Sequence, residues 1–216
     1  MVVANSGFCQ NFILTGKFDG SEVPTSLNLY KYNNYFDSQF VATIPVEGDS
    51  FFYNNSKIKE TDAYYLADAH NSDKSYWFFW EGENELLINT EDYSKSMVKN
   101  SPLTEERDRY ERIVFDKFHA EIKTIDKQLS ELKKDVTKNQ VKIDKLTMVR
   151  SQKWDQGTKD QATFERNYIL ENVNSIFSLY LLTCIGIEMV NEDSRQLFNS
   201  LNESVKRHSR GKIFME

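Results

Sequence analysis

The sequence predicts an α+β fold in which an N-terminal antiparallel β-sandwich or barrel is followed by a C-terminal antiparallel helical hairpin or bundle. A change in hydrophobic period leads to this prediction. Residues 11–100 alternate apolar and polar side chains in short runs, as half-buried strands do. Residues 101–216 repeat apolar side chains at steps of three and four, as amphipathic helices do. We therefore divide the chain into a terminus, 1–10, an antiparallel β domain, 11–100, and a helical domain, 101–216.

The length, net charge and cysteine content of the chain exclude some classes of protein. With 216 residues, the chain is long enough to bury a core in each of two small domains. A net charge of -6 with both signs interspersed argues against a nucleic-acid-binding surface, which is typically a basic patch. The two cysteines, Cys9 and Cys184, exclude a disulfide scaffold, and neither lies in a C-x-x-C pair or at metal-ligand spacing.

The terminus, MVVANSGFCQ, allows two interpretations. It resembles the end of a signal peptide, with Gly7 and Cys9 as the small residues before a cleavage at Gln10, which implies export to the periplasm or cell envelope. Alternatively, it is a disordered native terminus. Attachment to a membrane through a lipid on Cys9 is disfavoured, because bulky Phe8 precedes that residue.

The β domain contains seven or eight predicted strands, separated by turn sequences such as Asp19-Gly20. No segment between them is long and periodic enough to be a crossover helix, so we expect antiparallel rather than parallel pairing. The clearest strands are 12–18, 27–30, 40–46, 49–53, 63–69, 76–81 and 85–89.

The aromatic run at 76–80 also allows two interpretations. Tyr76, Phe78 and Trp80 alternate on one face and form a candidate ligand-binding strip. Alternatively, the two faces of this strand supply the core of the β domain and the contact with the helices, which is the interpretation we favour.

The helical domain begins at Ser101-Pro102, which is typical of a helix start. No Gly or Pro then occurs before Gly157, so one continuous helix to Met148 is predicted, with a turn near Gly157. Its apolar seam includes Phe118, Ile122, Ile125, Leu129, Leu132, Val136 and Asn139.

Asn139 is the polar residue in this seam, and such a residue often fixes register at a cost in stability. Because a lone helix would expose the seam, it must be covered either by the apolar helix of the same chain, folded back through the turn near Gly157, or by the same seam of a second chain. We expect a weak homodimer in which Asn139 faces a polar mate. Replacing Asn139 by Leu should then raise thermal stability and broaden the oligomer distribution.

The most apolar stretch, 166–190, is predicted to be a core helix. Its fully apolar part is shorter than the roughly 18 to 20 residues needed to cross a bilayer, so the chain is not predicted to be transmembrane. A last amphipathic helix is predicted at about 193–207.

Several segments together resemble the DUF4369 domain family of Bacteroidetes. They are, in order, FILTGKF at 12–18, LYKY at 29–32, GDSFFY at 48–53, YYL at 64–66 and FWEG at 79–82, followed by VKNS at 98–101 and ILENVNS at 169–175. The resemblance implies the N-terminal part of exported thioredoxin-like proteins of the peroxiredoxin and cytochrome-maturation type. It also implies a helix break near Val173, where members often have Pro. The thioredoxin-like domain of such proteins would follow Ile213, and its redox motif is absent from this sequence.

No catalytic, cofactor-binding or metal-ligating residues are predicted. Glu81, Glu83 and Glu85 alternate without convergent ligands, which favours a solvated strand edge over a cation site. Cys184 lies on an apolar helix without a resolving cysteine, which favours a structural role. We expect a non-catalytic accessory or interaction module of an exported thioredoxin-like system, in which the β domain binds and the helices act as a spacer or dimer arm, with a protein or a thioredoxin-like domain as partner. The alternative is a self-standing envelope protein that binds a small ligand or glycan through its sheet aromatic residues.

Overall fold

A computed structural model describes residues 12–34, 37–184 and 191–215 and shows an α+β fold. A nearly closed, barrel-like sheet is followed by a C-terminal helical region, as the hydrophobic periods predict. The predicted signal-peptide remnant, 1–10, lies outside the described residues, and so does the end of the apolar stretch, 185–190.

Among the described residues, eight strands form one sheet in the order β6-β5-β2-β3-β4-β1-β7-β8. Each of the seven clearest predicted strands is present, and the short β8 completes the set. The strands are β1 Ile13–Asp19, β2 Ser26–Asn34, β3 Asp37–Glu47, β4 Ser50–Asn54, β5 Asp62–Asp68, β6 Asn71–Trp80, β7 Glu83–Asn89 and β8 Met97–Lys99.

One pairing differs from the prediction. β1 and β7 are parallel, with Ile13 opposite Glu83 and Asp19 opposite Asn89. The expectation of purely antiparallel pairing is therefore wrong. A parallel pair usually needs a crossover helix, but here the chain travels around the barrel through five strands before β7 reaches β1.

The barrel core consists of the inward-facing side chains of alternating strand positions. Phe12 and Trp80 meet edge to face in it, with ring centroids 5.8 Å apart. Gly16 is required where β1 passes Phe51, because an added Cβ would lie 2.3 Å from the Phe51 ring. The largest fully buried side chains here are Trp80, Phe12, Phe78, Leu14, Leu27, Leu29, Ile44, Leu66, Leu86 and Ile88.

The helical region contains two long helical segments that reverse direction between them. Its elements are α1 Pro102–Val114, a π-helical segment Phe115–His119, α2 Ala120–Leu132, a 3-10 turn Lys133–Asp135, α3 Val136–Glu171, α4 Ile176–Cys184, α5 Glu192–Ser200, α6 Glu203–Lys206 and a 3-10 segment Ser209–Phe214. The predicted continuous helix to Met148 is wrong, because the chain turns back at Lys133–Asp135. Asp135 begins α3 by accepting a hydrogen bond from the Lys138 N–H at 3.3 Å.

The predicted seam is covered within the chain. Ile122, Ile125 and Leu129 of α2 are buried, and the last two form a cluster with Ile143 of α3. Asn139 is a capping residue of this turn, since its Nδ2 donates to the Leu132 carbonyl at 3.2 Å. Phe118 packs on Phe164 at the base of the hairpin, Leu132 is partly buried near the turn, and Val136 is 47% exposed. We call α2 and the part of α3 that packs on it the arm.

Gly157 lies in the middle of α3, so the predicted turn near it is also wrong. The residue is buried, and a Cβ there would lie 3.1 Å from the Phe118 carbonyl oxygen. Gly157 therefore permits a close approach of α3 to the π-helical segment.

The apolar stretch is divided between α3 and α4 by the break at Asn172–Ser175, the place that the family resemblance implies. The predicted last helix is also divided, because α5 ends at Ser200 and α6 begins at Glu203. Within the described residues, no helix is both long and apolar enough to cross a membrane.

Enlarging Gly157 should force α3 away from the π-helical segment. We expect Gly157→Leu to lower the free energy of unfolding by about 1–3 kcal/mol, the usual cost of overpacking. Gly157→Ala should cost less, because Ala gains about 1 kcal/mol of helix propensity over Gly. Urea denaturation measures both, with the exposed Thr158→Leu as a control. Equal stability of Gly157→Leu and this control would contradict the close approach.

Because Asn139 caps the turn, its replacement by Leu should lower stability, contrary to the expectation from the sequence. Asn139→Leu should lower the free energy of unfolding by about 0.5–1.5 kcal/mol, because the turn loses a hydrogen bond. The exposed Thr137→Leu is the control, and thermal unfolding with light scattering is the measurement. A more stable variant with a broader oligomer distribution would instead favour the seam-mediated homodimer.

Candidate functional site

The candidate ligand-binding strip lies in the barrel core. Phe78 and Trp80 have no exposed surface and Tyr76 has 7%, so these side chains do not form an accessible surface strip. The opposite face of β6 carries Trp77 and Phe79, which pack on Tyr180 at centroid distances of 5.5 and 5.3 Å. The two faces of β6 therefore supply the barrel core and the contact with the helices.

The open edge of β6 is bonded to side chains of α1. The Phe79 N–H donates to Thr104 Oγ1 at 2.8 Å, and the Ser101 hydroxyl lies 2.9 Å from the Phe79 carbonyl. Arg107 donates to the Trp77 carbonyl and stacks on the Trp77 ring at 3.9 Å. Because an unpaired strand edge must be covered or solvated, α1 takes the place of a neighbouring strand.

The three alternating glutamates do not converge on one point. Glu81 accepts hydrogen bonds from the Leu103 N–H at 2.8 Å and the Ser101 hydroxyl at 2.7 Å. Glu85 forms an ion pair with Lys99 at 3.1 Å on the surface. Burial raises the pKa of Glu81, although these two hydrogen bonds act in the opposite direction. Glu81 is thus a connector between the barrel and α1.

A second connection joins the C-terminal segment to the barrel. Arg210, 7% exposed, donates through Nε to the fully buried Asp62 and through its terminal nitrogens to the Tyr32 and Asn33 carbonyls. Lys31 Nζ lies 2.7 Å from Asp62 Oδ2. We call Lys31, Asp62 and Arg210 the C-terminal clamp.

Beside the clamp, Glu60, Asp62 and His208 bring potential metal-ligand atoms within 4.8 Å of one another. Both ring nitrogens of His208 are engaged, because the Arg210 N–H donates to Nδ1 at 3.2 Å and Nε2 lies 2.6 Å from the Thr61 carbonyl. Asp62 already faces two cations. These residues do not fit a metal site, since a metal would have to displace hydrogen bonds and ion pairs that hold the chain together.

A cavity of about 570 Å³ lies between the outer face of the sheet and the helices. We call it the junction cavity. Its volume is within the range of small-molecule sites. It is lined by Tyr32, Trp77, Tyr110, Glu111, Gln161, Phe177, Tyr180 and Leu181.

Two polar groups of the junction cavity differ from the connectors described above. Tyr110 is 5% exposed, and its hydroxyl has no hydrogen-bond partner among the described residues. Burial, together with the nearby Glu165 carboxylate, raises the pKa of Tyr110. Burial also raises the pKa of Glu111, against the opposing effect of Arg107, although Glu111 keeps access to solvent.

Sequence reasoning missed the residues of the clamp and of the junction cavity. Asp62 and Arg210 are separated by 148 positions, so no spacing signal connects them. Glu111 follows Arg107 by one helical turn, as many exposed ion pairs do. One sequence signal did point to this region: the unbroken aromatic run of β6 indicates that both faces of the strand are buried.

Breaking the clamp should destabilise the fold. Arg210→Met leaves Asp62 buried with Lys31 alone, and loss of one partner of a buried ion pair typically costs about 3–5 kcal/mol. Adding Asp62→Leu should recover part of this loss. The exposed Arg207→Met serves as the control. Urea denaturation giving equal stabilities for Arg210→Met and Arg207→Met would show that the clamp is not a structural connection.

No protein-family model matches the chain, and searches of curated proteins and of solved structures find no match either.

Proposed function

We propose that the chain is a non-catalytic interaction module of an exported thioredoxin-like system, in which the barrel and the helical body hold the arm in place for a protein partner. The helical body is the part of the helical region outside the arm, with α1, the end of α3, α4, α5 and α6. The main support for this proposal is that the arm has a hydrophobic cluster of its own. Its cluster of Ile125, Leu129 and Ile143 is separate from the core of the helical body. The arm thus packs on itself and is available as a contact element.

One face of the arm is suited to a protein contact. Val141 is 83% exposed and Met148 is 58% exposed. They are seven positions apart on α3, hence on one side of the helix, and helical periodicity places that side opposite Ile143. Exposed apolar side chains that share a face are typical of interaction sites.

The export and the thioredoxin-like partner in this proposal are based on the family resemblance of the sequence. The competing function, glycan or small-ligand binding through Tyr76, Phe78 and Trp80, has less support because these side chains are buried. The weak homodimer predicted through the seam stays a prediction, and since part of that seam is covered within the chain, we propose the exposed face of Val141 and Met148 as its contact instead.

Charging the exposed face should weaken partner binding without unfolding the arm. The probe is a purified thioredoxin-like domain from a protein of the resembled family. We expect Val141→Glu with Met148→Glu to weaken its binding at least tenfold in calorimetry, because carboxylates would replace the apolar contact. Ser130→Glu, exposed on α2, is the matched control and should bind like the original chain.

Three results would contradict the proposal. The original chain fails to bind the domain, the doubly charged variant binds as tightly as the control, or the chain reduces insulin disulfides faster than a Cys184→Ala control. Light scattering at several concentrations, with the same variants, tests the homodimer.

A further inference from the structure

The junction cavity combines features of a ligand site that the interaction role of the arm does not use. The hydroxyl of Tyr110 is buried and makes no hydrogen bond of ordinary geometry among the described residues, although the Glu165 carboxylate lies near enough to raise its pKa. Native structures pair nearly all such groups, so an unpaired one requires an explanation. The neighbouring Tyr168 shows the ordinary arrangement, since its hydroxyl donates to Glu106 at 2.7 Å.

The carboxylate of Glu111 is the second feature. Arg107 is the adjacent cation on α1, but its guanidinium is bonded to Asp108 and to the Trp77 carbonyl. Within the described part of the chain, no cation lies at ion-pair distance from Glu111. Glu111 is exposed and lines the cavity, so its negative charge is accessible to an incoming cation.

The walls of the cavity are the third feature. Four aromatic side chains of the lining contact one another, since the Tyr180 ring lies 5.5 Å from Trp77 and 6.0 Å from Phe177, and Tyr32 lies 6.2 Å from Trp77. The side-chain amide of Gln161 is already hydrogen-bonded within the chain, to Glu165 at 2.8 Å and to His119 at 3.0 Å. An apolar, aromatic wall favours a weakly hydrated organic cation over a compact metal ion.

We propose that the junction cavity binds an organic ammonium ion that carries one hydrogen-bonding group. Glu111 balances the positive charge, the aromatic wall contacts the alkyl groups, and the Tyr110 hydroxyl bonds to the polar group of the ligand. This role is independent of the arm, because the face of Val141 and Met148 does not line the cavity.

Calorimetric titration of the full chain tests this proposal with three probes of matched shape. Choline carries the cation and a hydroxyl, tetramethylammonium carries only the cation, and 3,3-dimethylbutan-1-ol is the neutral counterpart of choline. We expect choline to bind in the millimolar range or tighter and the neutral alcohol at least tenfold more weakly. Choline affinity should fall as the pH is lowered through the pKa of Glu111, because the carboxyl group then loses its charge.

Two variants assign the roles of the residues. Glu111→Gln should weaken both cations at least tenfold, whereas Glu105→Gln, exposed on the same helix, should leave them unchanged. Tyr110→Phe should weaken choline several-fold but not tetramethylammonium, because only choline has a hydroxyl. Unfolding midpoints verify that each variant is folded.

The proposal is overturned if neither cation binds, if the neutral alcohol binds as tightly as choline, or if Glu111→Gln binds both cations normally. Binding of a neutral sugar such as maltose in place of choline would overturn it in favour of a glycan site.

Discussion

The free edge of β6 is the constraint on which the rest of the structure depends. The sheet order ends at β6 on one side, and the backbone groups of Trp77 and Phe79 there face α1 instead of another strand. The missing hydrogen-bond partners come from Ser101, which caps the N-terminus of α1, and from Thr104 and Arg107 in the first two turns of the helix. The edge therefore determines where the helical region begins and how its first helix lies on the barrel.

The same strand joins the two hydrophobic cores. A strand that is solvated on one face alternates apolar and polar residues, but β6 has five consecutive aromatic residues from 76 to 80. Its inward rings fill the barrel, while Trp77 and Phe79 pack on Tyr180 of α4. Separating the helices from the barrel would expose one of these faces. The barrel and the helical body are thus stabilised as one unit.

The sequence predicts local structure better than it predicts pairing. Alternation located the strands, and apolar periodicity located the buried faces of the helices, because both depend on neighbouring residues. The parallel pairing of β1 with β7 depends on contacts between segments that are distant in the sequence. The turn at Lys133–Asp135 contains no Gly or Pro, so the usual sequence signal of a turn is missing. Gly157 suggested a turn because Gly is common in turns, but here its lack of a side chain permits a close approach of α3 to the π-helical segment.

Some polar groups bond to other parts of the chain and connect the barrel to the helices, whereas others are left available to a ligand. Arg107, Asp62 and Arg210 are all buried charges, which usually suggests function, yet each faces an opposite charge supplied by the chain itself. Asp62 Oδ2 makes no hydrogen bond among the described residues, but Lys31 Nζ lies 2.7 Å from it as an ion pair. Removing any of them would leave an unpaired partner, so their burial is explained by the connection alone. Tyr110 and Glu111 differ, because the buried Tyr110 hydroxyl makes no hydrogen bond of ordinary geometry and the exposed Glu111 forms no ion pair among the described residues. Folding thus leaves the cost of burying the Tyr110 hydroxyl uncompensated, and a ligand that offers a hydroxyl and a cation would interact with both Tyr110 and Glu111.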